Sequence, residues 1–193
     1  MHIKVFGFQK CHHLQMKKRL VKSALLWAPA LVYGLGLFLV QAQAANDVYV
    51  KHRFNDWEVH CARSEDSRER CQAYYLVQDQ DGNSIAEWSA FNVTSDGSRA
   101  GSSIVVPLET LLTEMLRIQV DDGPIRSHPF SLCSSYGCFA QIDFSQAQVA
   151  ELRQGQSAFL TIVPAVAPND PFRLRVSLSG FREALAGASG SDE

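Results

Sequence analysis

The sequence predicts an all-β fold, an antiparallel sandwich or barrel carrying one short helix near residues 145–154. Three observations carry this. Eight or nine short segments of alternating or continuous apolar character recur between turn signals along the chain. Only one stretch has helical spacing with both caps. The cysteines after residue 44 are four, an even number, and sit at the ends of alternating segments.

The amino-terminal segment reads as a targeting signal. "MKKRLVKS" (16–23) is basic, "ALLWAPALVYGLGLFLV" (24–40) is apolar and uncharged, and "AQA" (42–44) offers small residues for cleavage. Residues 1–44 are therefore expected to be a signal peptide cut near Ala44, with Met16 a candidate start and Cys11 outside the mature chain. Pro29, Gly34 and Gly36 interrupt the apolar run, which weakens it as a membrane span. No integral span is expected after cleavage. Residues 45–187 are expected to form one domain and 188–193, "ASGSDE", a disordered tail.

Removing the leader changes the charge. The remaining chain has one lysine and eleven arginines against 20 acidic residues, a net charge of −8 instead of −2. Such a domain is a poor partner for nucleic acid or an anionic lipid surface. The expected location is periplasmic, secreted or outer-membrane-associated.

Along the mature chain, "DWEVHC" (56–61) and "CQAYYLVQ" (71–78) alternate as two antiparallel strands around a charged loop. Cys61 and Cys71 then face each other at the base of that loop. "DQDGNS" (79–84) is a turn that resembles half of a calcium loop but lacks its glutamate and helices. "IAEWSAFNV" reads as a strand, "SDGSRAGSS" (95–103) as a loop, and "IVVPLETLL" (104–112) as a strand stopped by Pro107 with a helical turn after it. "EMLRIQVDDGPIRSHPFSLC" (114–133) is expected to be a hairpin around Asp-Asp-Gly-Pro. "CFAQIDF" alternates again. Ser145 and Gly155 bracket the helix, with Val149 and Leu152 as its apolar stripe. "SAFLTIVPAV" and "FRLRVSLSGF" are strands, and "REALAG" adds a last turn. Trp57, Tyr75, Trp88, Phe91, Phe130 and Phe159 are expected in the core.

Chemistry is scarce. There is no G-x-S-x-G, no H-E-x-x-H and no phosphate loop. The histidines of the mature chain are His52, His60 and His128, and Asp56, Glu58, Asp121 and Asp122 read as solvated carboxylates. No catalytic residue, cofactor or metal is expected, and the protein is expected not to be an enzyme. Four cysteines allow three connectivities; export and local context favour bridges Cys61–Cys71 and Cys133–Cys138. The alternative is a periplasmic thiol-redox helper or enzyme using Cys133 and Cys138. The loop Ser134, Ser135, Tyr136 and Gly137 is a candidate partner-binding tip. Arg173 and Arg175, with Arg182 nearby, form a basic stripe whose plain reading is a solvated strand face.

"FNDWEVHC", "CQAYYLVQ", "PLETLL", "IQVDDGPIRSHPFSLCSSYGCFAQIDF", "AELRQGQ" and "VSLSGFREAL" stand in an order that resembles the invasion-associated locus B family of exported bacterial proteins. The resemblance runs from about Phe54 to Leu185. It implies an immunoglobulin-like β-sandwich with no established active site or cofactor. It implies action by binding an unknown protein partner in the envelope or on a host surface, in host-cell invasion or in envelope function. An inhibitor or chaperone with a soluble partner is a third expectation. The binding loops are expected at one end of the sandwich, around 62–70, 95–103 and 134–137.

Overall fold

The structure is a computed structural model that describes residues 48–63, 68–79 and 81–189. The segment expected to be a signal peptide, with Cys11, and residues 190–193 lie outside the described residues. The fold is an antiparallel β-sandwich of two sheets. Strands β1 (Val48–Phe54), β2 (Trp57–Arg63), β3 (Glu69–Gln78), β4 (Ser84–Asn92) and β5 (Ala100–Val106) follow one another as a meander. The sheet continues through β9 (Gly137–Phe144) to a short edge, β8 (Leu132–Ser134). The second sheet runs β11 (Phe172–Ser177), β10 (Ser157–Ile162), β6 (Leu116–Val120), β7 (Arg126–His128).

Alternation does what the sequence requires of it. Trp57, Val59 and Cys61 of β2, Ala86, Trp88 and Ala90 of β4, and Cys138, Ala140, Ile142 and Phe144 of β9 all face the buried interior. At its centre Trp57 meets Tyr75, Trp88 and Phe181 at ring distances of 5.3, 5.9 and 4.9 Å. Its indole N–H donates to Ser177 O of the other sheet at 2.8 Å, so the largest apolar group also pins the two layers together.

Two helices complete the core. In α1 (Gln146–Gln154), Ser145 and Gln148 form a reciprocal capping box, and Val149 and Leu152 are buried. The expected final turn is a full helix, α2 (Phe181–Gly187), which packs on β1–β4 through Phe181, Ala184 and Leu185. Ala188 and Ser189, assigned by composition to the tail, are held: Ala188 is buried, and Asn92 Nδ2 donates to Ser189 Oγ at 2.8 Å.

Several boundaries differ from expectation. The segment 114–133 is not one hairpin. β7 pairs with β6, but Pro129 offers no N–H to continue the ladder. The chain then crosses to the larger sheet, where Ser131 N bonds Phe139 O at 2.7 Å and β8 begins. The loop expected at 95–103 ends at 99, because Ala100–Ser103 belong to β5. Gly101 leaves room for a ring on the neighbouring strand: a Cβ there would stand 2.5 Å from Phe91 Cζ, so the ring would have to turn aside. Phe91 lies on the outside, 42% exposed, and Phe159 lies on the outer face of the smaller sheet beneath Arg173, so neither is core.

Candidate functional site

The strand register fixes which loops share an end. Cys61 lies opposite Cys71, and Asn92 opposite Ala100, so the strand ends Arg63 and Glu69 and the loop 93–99 lie at one end of the larger sheet. Cys138 lies opposite Val106, and Phe144 opposite Ala100, so the Ser134–Gly137 turn lies at the other end. The three expected binding loops are thus not together. The sequence could not show this, because it depends on how many strands separate the loops.

The end carrying Ser134–Gly137 is rigid and apolar. Cys133 and Cys138 are bonded across β8 and β9, with Cα atoms 4.0 Å apart. Tyr136 N donates to Ser134 Oγ at 3.1 Å, and the Tyr136 side chain is 89% exposed. Gly137 has φ +147, and a Cβ there would meet Val106 O at 2.5 Å, so this turn sits directly on the end of β5. Beyond Val106, residues 107–115 fold onto residues 163–167. Leu111 N bonds Val163 O and Ala165 N bonds Glu109 O, both at 2.7 Å. Glu109 and Met115 hold positive φ, 68° and 55°, conformations that a side chain disfavours. From this frame Leu108, Leu112, Met115 and Val166 project into solvent, with Leu132 beside the turn. The charges in 107–115 and 163–171 are Glu109, Glu114 and Asp170, with no basic residue.

The opposite end is polar. Arg153 Nη2 reaches from α1 to Gly97 O at 3.0 Å, and Arg182 Nη2 donates to Arg153 O at 3.0 Å. Asp96 beside them is held down to about 2, first by the Ser98 N–H and then by the hydroxyls of Thr94 and Ser98.

The remaining sequence candidates fall into structural roles. Cys61 and Cys71 are bonded at the predicted base of the loop, Cα atoms 4.1 Å apart. With Glu69 they form a cluster of ligand-type residues, but both sulfurs are already bonded to each other. Asp79 closes its turn by accepting the N–H groups of Asp81 and Asn83 at 2.9 and 2.8 Å. The carboxylates read as solvated are partly engaged. Glu58 pairs with Arg53 and His60, both at 2.7 Å, and Asp121 accepts from Gln156 N and Ser157 N. His60 stacks on Tyr74 at 4.1 Å. Sequence reasoning missed β1 and the apolar loop 107–115. The residues after Pro107 read as a helical turn, and the turn that forms there is a short 3-10 helix, Leu112–Glu114.

The sequence and the fold agree with one protein family. A profile for the invasion associated locus B (IalB) protein matches residues 57–189. The chain belongs to the IalB family. It is 26% identical over 136 residues to an invasion protein B homolog of Brucella abortus strain 2308, covering 70% of this chain and 77% of that relative. A second homolog, from Brucella abortus biovar 1 strain 9-941, matches to the same extent. The crystal structure of invasion associated protein B from Bartonella henselae superposes with a TM-score of 0.63 at 26% identity, over 71% of this chain and 92% of that one. As an IalB-family member, this chain has a β-rich two-sheet fold and two disulfides.

Proposed function

We propose that this IalB-family protein is exported on a signal peptide cut near Ala44 and acts without catalysis, by binding another protein in the envelope or at a host surface. Residues 45–187 are its working domain. The observation that carries the reading is the apolar end: Tyr136, Leu108, Leu112, Met115 and Val166 stand exposed on loops fixed by a disulfide and by main-chain bonds. Exposed apolar side chains on a rigid frame are what a protein interface needs. The acidic loops make an anionic membrane a poor counterpart, and favour a partner with apolar groups flanked by basic ones.

Two experiments test this. A reporter fused after residue 44 should leave the cytoplasm, and the fusion lacking the leader should stay there. A photo-crosslinking residue at Tyr136 or Val166 should give one discrete protein adduct in the native envelope, and the same residue at Arg99 none. Retention of the full fusion overturns the export half, and equal adducts at both ends overturn the binding half. The redox alternative requires a Cys133–Cys138 bridge that a glutathione-like poise reduces.

A further inference from the structure

The outer face of the smaller sheet carries three arginines with no carboxylate to meet them. In one cross-strand row stand Arg173, Thr161, Arg117 and Ser127; in the next stand Arg175, Phe159 and Gln119. Strand spacing of about 4.8 Å and a same-face repeat of about 7 Å put the three arginine positions roughly 7–12 Å apart on one sheet face. Lys51, Arg53 and Arg126 each have an acidic partner. Among the described residues, no carboxylate lies within ion-pairing distance of Arg117, Arg173 or Arg175. In a mature chain of net charge −8 this face stands apart.

The side chains are held by neutral groups instead. The Arg173 guanidinium lies 3.8 Å over the Phe159 ring, and its Nη2 donates to Gln119 Oε1 at 3.0 Å. Arg175 Nε donates to Ser157 Oγ at 3.0 Å. Arg117 Nε is buried without a partner. Much of the ordering entropy of these long side chains is therefore already lost, and each keeps N–H groups free for an anion. Asp121 and Asp122 line one cavity with Phe159 and Arg175, outside ion-pairing distance, and Asp121 is occupied by the N–H groups of Gln156 and Ser157.

We propose that this face binds an acidic polysaccharide. Arg117, Arg173 and Arg175 take its carboxylate or sulfate groups, and Gln119, Thr161 and Ser127 meet its hydroxyls. Spaced cations among neutral hydrogen-bonding groups suit a chain whose charges are separated by hydroxyl-bearing rings. A bilayer would need protruding apolar groups, which this face lacks. The site is separate from the apolar end and does not depend on it.

The test is titration of the mature chain with dextran sulfate, alginate, neutral dextran and phosphatidylglycerol vesicles. The variant Arg117→Gln/Arg173→Gln/Arg175→Gln is compared with Arg63→Gln/Arg70→Gln/Arg99→Gln, which removes the same charge elsewhere. Both acidic polymers should bind in a salt-dependent way, with the first variant weaker by about tenfold or more and the second within about twofold. Neutral dextran should not bind. If the triple variant fails to fold, the exposed single variants Arg173→Gln and Arg175→Gln each carry the test with an expected loss of about threefold. Absence of polymer binding, equal loss in both triple variants, or arginine-dependent binding to vesicles alone overturns the proposal.

Discussion

Trp88 Nε1 donates to Ser102 Oγ at 2.8 Å across β4 and β5, in the buried interior, and the Ser102 hydroxyl in turn donates to Ser89 O at 2.8 Å. The serine is the one group that lets the indole sit between the sheets with its N–H satisfied. Ser102→Ala removes that acceptor and strands a buried donor. The expected loss is about 1–3 kcal/mol, read as a shift of the urea midpoint with an unchanged slope. The double variant Trp88→Phe/Ser102→Ala should lose less than the two single losses combined, because neither orphaned group remains.

Gly180 carries α2. Its φ is +91, and a Cβ there would stand 1.8 Å from Phe54 O, a main-chain atom that cannot swing away. Gly82 has a similar φ of +83 but open space around it. Gly82→Ala should cost only the left-handed backbone penalty, about 1–2 kcal/mol. Gly180→Ala should exceed that by at least about 2 kcal/mol and detach α2 from β1–β4. Thermal melts of the two variants separate the steric cost from the conformational one.

These positions show why some of the molecule was legible and some was not. Alternation in "DWEVHC" and "CFAQIDF" told which residues face inward, since a strand has only two sides. The capping signals around 145–155 located α1 because capping is local chemistry. The Cys61–Cys71 pairing followed from a single hairpin. β1 was not read, because its residues, an exposed edge strand, carry no inward apolar set. The 124–133 stretch was misread because its change of sheet at Pro129 depends on what lies across the gap. The grouping of loops at each end failed for the same reason. It needs the parity of strands between them, and the polar start of β5 at Ala100–Ser103 hid one boundary. Arg117 could not be joined to Arg173 and Arg175, since β10 had first to be placed between β6 and β11.

The two disulfides should contribute unequally. They close loops with separations of 10 and 5 residues. The chain-entropy account gives roughly 3 kcal/mol for the first and roughly 2 kcal/mol for the second. Cys61→Ala/Cys71→Ala should therefore be the less stable pair variant in urea melts. Cys133→Ala/Cys138→Ala should keep its fold but lose the crosslink at Tyr136, as the turn loosens. A stable fold with full crosslinking would remove the bridge from the interface argument.

Tyr74 supplies an alkaline signature. Burial raises its hydroxyl to about 12, with the charge of Glu87 and a hydrogen bond to it adding to the effect. The folded state therefore keeps the phenol neutral where the unfolded chain would ionise, near 10. The stability tied to this is complete below about 10 and is lost as pH rises toward the folded value. Tyr49 is also raised, first by its hydrogen bond to Glu69, so ultraviolet titration should show more than one late tyrosine, and Tyr74→Phe should abolish the step near 12. An unchanged late step in the variant would assign it elsewhere.

His128 gives the complementary acid signature. Burial lowers its pKa first, and the neighbouring charge of Arg126 lowers it further. Its ring packs edge-on to Phe144 at 6.2 Å, and its Nε2 is buried with no hydrogen-bond partner. Arg126 on the same strand is paired with Glu151 of α1 at 2.9 Å, and Gln148 of α1 lines the same small cavity. Glu151 is thus already committed to Arg126. The unfolded chain takes up a proton near the ordinary histidine value of about 6.5, and the folded chain only at lower pH. The stability that the neutral ring contributes is complete above about 6.5 and is lost as pH falls through the folded value. Urea midpoints measured at about pH 7.5 and about pH 5 should fall more for the native chain than for His128→Gln. Parallel curves for the two proteins would show that the acid sensitivity arises at another group.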